Sequence, residues 1–201
     1  QAYGKVGGMD RVARVVNAIR SDRPDALLLD GGDTWQGSGT AYWTRGRDMV
    51  DACNLLGVNV MTGHWEFTYL DKEVIDNVAA FKGDFVAQNI AVREEALFDY
   101  RFEDFEGFNE DSGRAFNPYV IKNVGGARVA VIGQAFPYTP IANPSRFIPD
   151  WTFGIQDERM QELVDAVRVT LGPTGRCVIL GRADGVPMLT NDGAAIAREI
   201  D

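Results

Sequence analysis

Leu27-Leu28-Leu29-Asp30-Gly31-Gly32-Asp33-Thr34-Trp35-Gln36-Gly37-Ser38 decides how this chain is read. Three leucines between polar flanks predict a short buried strand. The glycine pair lets the backbone turn sharply, so Asp33 falls at the mouth of a sheet. Ligands of open α/β sheets bind outside the carboxyl ends of the strands. A carboxylate held there by glycines suits a hard divalent cation. Asp and Gly are also the commonest turn residues, so a solvated turn is equally compatible with these letters.

A second stretch of the same form follows. Val58-Asn59-Val60-Met61-Thr62 predicts another strand, and it ends in Gly63-His64-Trp65-Glu66-Phe67-Thr68-Tyr69. His64 is the chain's single histidine. A lone histidine is commonly a hydrogen-bonded structural residue, but this one follows a glycine at a strand end, as Asp33 does. Two potential ligands at two strand ends can meet across one crevice.

The 201 residues suffice for one domain with a real core. Hydrophobic residues make up 45% and charged residues 24%, as in ordinary globular proteins. The net charge of -9, with no basic run, argues against nucleic acid as a partner. No apolar run approaches the roughly 20 residues of a membrane span. Cys53 and Cys177 are too far apart for a metal knuckle, and Cys53 falls in an apolar helical pattern that predicts core packing.

Taken in order, Gly7-Gly8 precedes a helix to about Arg20 with Val12, Val15, Val16 and Ile19 on one face. Residues 40–47 read as a loop. A helix with Met49, Val50, Cys53 and Leu56 as its apolar face stops at Gly57. Strand, helix and strand make a β-α-β unit with its loops at one rim. Asp71 to Ala80 predicts a helix and Phe85-Val86-Ala87 a strand. Residues 91–116 hold five phenylalanines and read as a packed insertion. Tyr119–Val124 and Ala127–Ile132 flank Gly125-Gly126, a hairpin signal. Asp157 to Val167 predicts a helix, and Cys177 to Leu180 a strand beside the one ending at Ile132.

GGDTWQGS and GHWEF resemble the second and third motifs of the 5′-nucleotidase-type metallophosphoesterases, which carry a two-metal site. Their third motif usually reads Gly-Asn-His-Glu. Here His64 stands at the metal-binding Asn position and Trp65 at the catalytic His position. That substitution, within GHWEFTY, is similar to the SoxB family of Sox-system thiosulfohydrolases. So are Tyr42-Trp43-Thr44-Arg45-Gly46, the run from Asp48 to Cys53, the run from Gly133 to Pro144, and Trp151-Thr152-Phe153-Gly154-Ile155-Gln156. The resemblance spans about residues 2–168. It implies an α/β fold, a partial calcineurin-like metallophosphoesterase β-sandwich flanked by helices. It also implies two manganese ions, a periplasmic location, and the sulfur carrier SoxY or SoxYZ as partner. In that family water attacks the terminal sulfur of a thiosulfonate carried on a cysteine; sulfate leaves and a persulfide stays.

The resemblance makes Asp33 the bridging metal ligand and His64 a ligand of one metal. Glu66 either orients its neighbours or forms a surface salt bridge. Trp65, whose indole offers one N–H and a flat wall, either shapes a pocket or fills core. Arg45 and Arg47 are candidates to attract an anionic substrate. The family's Asp-x-His motif would precede Gly7, and its later histidine motifs would follow the Asp157 helix; this chain has neither. The expectation is therefore an incomplete metal site that binds manganese weakly and does not turn over thiosulfonate. A nucleotidase-like phosphoesterase is the second enzyme reading.

From about Val167 the sequence resembles the N-terminal equatorial segment of a group I (GroEL-type) chaperonin. The matching positions are Val167 to Arg176, Leu189 to Gly193 and Ala197 to Ile200. This divides the chain into a truncated SoxB-like domain, 1–167, and a chaperonin-like segment, 168–201, joined near 161–170. In chaperonins the positions of Thr170, Leu171, Gly172 and Pro173 contact ATP phosphate, and Asp192 matches an aspartate of the nucleotide site. Asn191 stands where that family has Lys, and its Gly-Asp-Gly-Thr-Thr motif is absent. A chaperonin-derived segment without enzymatic activity is the non-enzyme reading.

Overall fold

The computed structural model describes residues 7–98, 107–109, 111–168, 178–180 and 188–190. Its centre is a parallel sheet of β1 (Leu29–Asp30), β2 (Val60–Met61) and β3 (Asp84–Phe85), in that order. Parallel neighbours need crossovers. Helix α3 (Arg47–Leu56) supplies the first and α4 (Asp71–Ala80) the second. Leu29 lies opposite Val60, and Val60 opposite Asp84.

Helix α1 (Met9–Asp22) precedes β1, with Asp10 in its first turn and Arg20 in its last. The Arg20 guanidinium donates to the carbonyls of Leu56 and Gly57, both at 2.6 Å, and so caps the end of α3. The predicted apolar face of α1 is not covered: the helix has no buried residue, and Val12, Val15 and Ile19 are exposed. The leucine strand also departs from expectation. Leu28 packs against the core, but its neighbour Leu29 is 54% exposed, as successive side chains of a strand point to opposite faces and the face that Leu29 takes is open.

Residues 40–47, expected as a loop, are helical in most of their length. Ser38 caps α2 (Gly39–Thr44) by accepting the Ala41 N–H at 3.0 Å. Arg45 and Gly46, both left-handed, then redirect the chain into α3.

The core is aromatic. Trp35 packs on Phe85 at 5.8 Å between ring centres, Phe85 on Phe116 at 5.0 Å, and Phe116 on Trp151 at 5.3 Å. Trp151 also meets Phe67 edge-on at 6.1 Å. Large rings in edge and tilted contact bury much apolar area per residue. They join the central sheet to the antiparallel pair β4 (Ala91–Val92) and β7 (Trp151–Thr152). Of the insertion's phenylalanines, Phe116 is core and Phe108 packs against it, while Phe98 is exposed; Phe102 and Phe105 lie outside the described residues.

Strands β5 (Tyr119–Val124) and β6 (Ala127–Ile132) form the expected hairpin. Gly125 and Gly126 both have positive φ, 54° and 82°, as its two-residue turn requires. After α5 (Thr139–Ala142) and β7 comes α6 (Asp157–Arg168). Strand β8 (Val178–Leu180) does not join β6 as expected. It pairs antiparallel with β9 (Met188–Thr190) in a separate two-stranded sheet.

Candidate functional site

The loops after β1 and β2 meet at Glu66. This side chain is fully buried and accepts four backbone N–H groups. Oε1 accepts from Thr34 at 2.7 Å and Trp35 at 3.2 Å; Oε2 accepts from Asp33 at 3.0 Å and His64 at 2.6 Å. The conformation behind this is local. Gly32 and Asp33 both have positive φ, 87° and 63°. This turn points consecutive amides into one concavity, a nest for an anion. Glu66 fills that nest from the second loop, without an ion pair among the described residues. Gly32 is needed because a Cβ there would stand 2.7 Å from the His64 nitrogen and 2.8 Å from the Thr62 carbonyl.

Glu66 thus brings the backbones of Asp33 and His64 together. The Asp33 side chain is exposed and accepts the Gln36 amide at 2.8 Å. The His64 ring is half-buried, and its Nδ1 is buried without a hydrogen-bond partner, as is the Thr62 hydroxyl. Phe136, which sequence reasoning did not single out, covers that ring at 4.5 Å between centres. Its own N–H donates to the Gly63 carbonyl at 3.1 Å. Trp65 is half-buried and stacks on Phe136 at 6.2 Å, so His64, Trp65, Phe136 and Tyr138 form an aromatic wall.

Arg45 ends α2, stacks over Tyr42 at 5.0 Å and pairs with Glu73 at 3.3 Å. Arg47 pairs with Asp51 at 3.3 Å. Neither arginine contacts Asp33, His64 or Glu66. Thr170, Leu171, Gly172, Pro173 and Asp192 lie outside the described residues.

Asp30, behind the nest, accepts from the Gly32 N–H and the Thr34 hydroxyl, both at 3.0 Å. Burial pushes its carboxyl above the ordinary 3.8; those two hydrogen bonds oppose the rise and the Glu66 charge adds to it. Burial, with the Asp30 and Glu66 charges, pushes the Cys53 thiol up to about 12. Sequence reasoning also missed a further pair, Gln88 and Asn89. Asn89 is fully buried and bonds the Ala135 N–H, the Ala135 carbonyl and the Gly154 carbonyl at 2.8–3.0 Å. It follows the apolar run 85–87 at a strand end, the same signal that picks out Asp33 and His64.

A two-metal centre needs several protein ligands around its two cations. The unpartnered His64 Nδ1 suits one ligand position, and Asp33 offers a carboxylate. Among the described residues, however, no group of three or more His, Cys, Asp or Glu gathers as a metal site. The described side chains do not make up a complete dinuclear centre.

The fold is that of the calcineurin-like phosphoesterases, and this chain forms part of it. The YfkN phosphoesterase of Bacillus subtilis superposes with a TM-score of 0.60 at 18% identity over 80% of this chain and 50% of its own. The 5′-nucleotidase precursor of Thermus thermophilus gives 0.61 at 23%, over 82% of this chain and 29% of that one. At higher identity, the chain is similar to the sulfate thiohydrolase SoxB of Thermus thermophilus. That structure, a complex with glycerol, matches with a TM-score of 0.70 at 32% identity, over 83% of this chain and 29% of SoxB. A stretch of 42 residues, 21% of the chain, is 62% identical to chaperonin GroEL 1 of Mycobacterium leprae and covers 8% of it. No family model matches. The chain therefore spans less than a third of the SoxB and nucleotidase structures, and less than a tenth of the chaperonin.

Proposed function

We propose that this chain carries the second and third metal-motif loops of a SoxB-like thiosulfohydrolase domain and releases no sulfate by itself. The observation behind this reading is the Glu66 nest, which holds Asp33 and His64 at adjoining strand ends. The 32% identity to SoxB supports it, with Trp65 where the nucleotidases have a catalytic histidine. An indole has no basic nitrogen, so Trp65 cannot take or give a proton as that histidine would. With Phe136 it walls one side of the site. In the SoxB family the reaction is hydrolysis of a cysteine-bound thiosulfonate: water adds to the terminal sulfur, the bond between that sulfur and its neighbour breaks, sulfate departs, and the carrier keeps a persulfide. A SoxYZ-type carrier, manganese and the periplasm belong to this reading. So does the division at 167/168, with a chaperonin-like segment after it.

The test is the manganese retained after loading and dialysis into metal-free buffer, paired with sulfate release from a cysteine thiosulfonate peptide. Retention well below one equivalent, with no sulfate, is expected, because two ligands leave most coordination positions to water. Two retained equivalents with sulfate release would overturn the reading.

A further inference from the structure

An open cleft of about 480 Å³ lies between the β4–β7 pair and the 140–149 segment. Its polar lining is Arg93, Asn143, Ser145, Arg146 and Trp151; prolines and Ile148 complete the walls. Each part is placed by the backbone. Val92 pairs with Trp151, and the Arg93 N–H donates to the Asp150 carbonyl at 2.7 Å, which sets Arg93 on one wall. On the other, a turn closed by the Phe147 N–H to the Pro144 carbonyl at 3.0 Å puts Ser145 and Arg146 at its corner. The Arg146 guanidinium rests over the Phe147 ring at 5.0 Å, which restricts it.

Two features mark this cleft. Arg45, Arg47 and Arg168 each pair with a carboxylate, and Arg20 is used on carbonyls. Neither Arg93 nor Arg146 has an ion pair or a side-chain hydrogen bond among the described residues, although the chain's net charge is -9. Glu94 and Glu95, next to Arg93, are not in the lining. In addition, Trp151 is 1% exposed and its indole N–H is buried without a partner, an unmet donor in a residue that lines the cleft.

We propose that this cleft binds a tetrahedral oxyanion, a sulfonate, sulfate or phosphate, borne on a small organic body. Two guanidiniums supply charge-assisted donors for such a group. The volume lies within the range of small-molecule sites and exceeds what a bare anion fills, and the proline and isoleucine walls suit an apolar body. The proposal does not depend on the thiosulfohydrolase reading.

The experiment follows the Trp151 indole N–H by ¹⁵N–¹H NMR of the full chain, assigned with Trp151→Phe, during titration with benzenesulfonate, sulfate, acetate and benzenesulfonamide. Saturable shifts with benzenesulfonate at about millimolar affinity are expected, with sulfate weaker and neither acetate nor the neutral sulfonamide effective. Arg93→Gln and Arg146→Gln, both at exposed positions, each weaken binding about tenfold or more, whereas Arg47→Gln leaves it unchanged. No saturable shift up to about 20 mM, or equal binding in the two arginine variants, overturns the site. Equal binding of the sulfonamide makes it an apolar cleft, and sulfate binding as tightly as benzenesulfonate removes the organic body from the proposal.

Discussion

The amides of Asp33 and His64, 31 residues apart in sequence, donate to the same oxygen of one buried carboxylate, Oε2 of Glu66, at 3.0 and 2.6 Å. Two more amides, of Thr34 and Trp35, meet the other oxygen. Glu66→Ala would leave four N–H groups without this partner. Buried donors left unmet cost about 1–3 kcal/mol each, and water entering the vacated space recovers part. The expected loss is about 3–5 kcal/mol, or a melting point lower by about 10 °C or more for a chain of this size. Glu66→Gln, which keeps one oxygen and turns an amide donor on the other pair, loses about half as much. Circular dichroism melts check this; an alanine variant melting within about 2 °C of the parent would show that the nest contributes little.

Gly32 adds a steric condition to the same junction. A methyl group there would meet the His64 nitrogen at 2.7 Å and the Thr62 carbonyl at 2.8 Å, in a left-handed backbone. Gly125 in the β5–β6 turn also has positive φ, but a methyl there meets nothing within 4 Å. Gly125→Ala therefore costs only the left-handed penalty, about 1–2 kcal/mol. Gly32→Ala costs that plus the separation of the two loops, about 2 kcal/mol more. Paired denaturant titrations of the two variants isolate the contact, and equal losses would rule it out.

The strand ends at Asp33 and His64, the two crossover helices and the β5–β6 hairpin are legible in the sequence because each has a local signature: glycines after an apolar run, apolar residues at helical spacing, or a glycine pair between alternating strands. The Glu66 nest is not. It depends on Gly32 and Asp33 turning left-handed together, and on a carboxylate arriving from the next loop, which no local pattern announces. Phe136 on His64 and Asn89 on Ala135 are likewise contacts between segments more than 40 residues apart. The exposure of Leu29 and of the α1 face escapes the sequence for a related reason. Apolar spacing shows which face seeks burial, not whether a neighbour lies against it.

Asp30 supplies a prediction about pH. Burial raises its carboxyl above 3.8, so its charge is less favourable in the folded chain than in the unfolded one. Its stabilising contribution is complete below 3.8, where both states are protonated, and is lost as pH rises through the raised folded value. Asp30→Asn keeps an oxygen for the Gly32 N–H and the Thr34 hydroxyl and removes the charge. The variant is expected to be more stable than the parent at pH 7, with the gap closing as pH falls toward about 4. Melts at several pH values compare the two. A variant less stable at pH 7, or a gap independent of pH, would mean that the hydrogen bonds to the charged carboxylate outweigh its burial.

Cys53 lies in α3 with no exposed surface, and its thiol is pushed up to about 12 by burial and by the Asp30 and Glu66 charges. Thiolate is the reactive form, and both factors suppress it. In a Cys177→Ser background, where Cys53 is the one thiol, the folded chain at pH 8 should resist iodoacetamide, and denaturant should release full labelling. The same shift carries a stability consequence. The unfolded thiol ionises near its ordinary value of 9.0 while the folded one stays neutral to about 12. Stability is therefore unaffected by this group below about 9 and falls as pH rises from there toward 12. Cys53→Ala removes that slope while costing about 1 kcal/mol for the lost sulfur in the core. Rapid labelling of the folded Cys177→Ser chain at pH 8, or an unchanged alkaline slope in Cys53→Ala, would place this thiol outside the sealed junction of Asp30, Trp35 and Glu66.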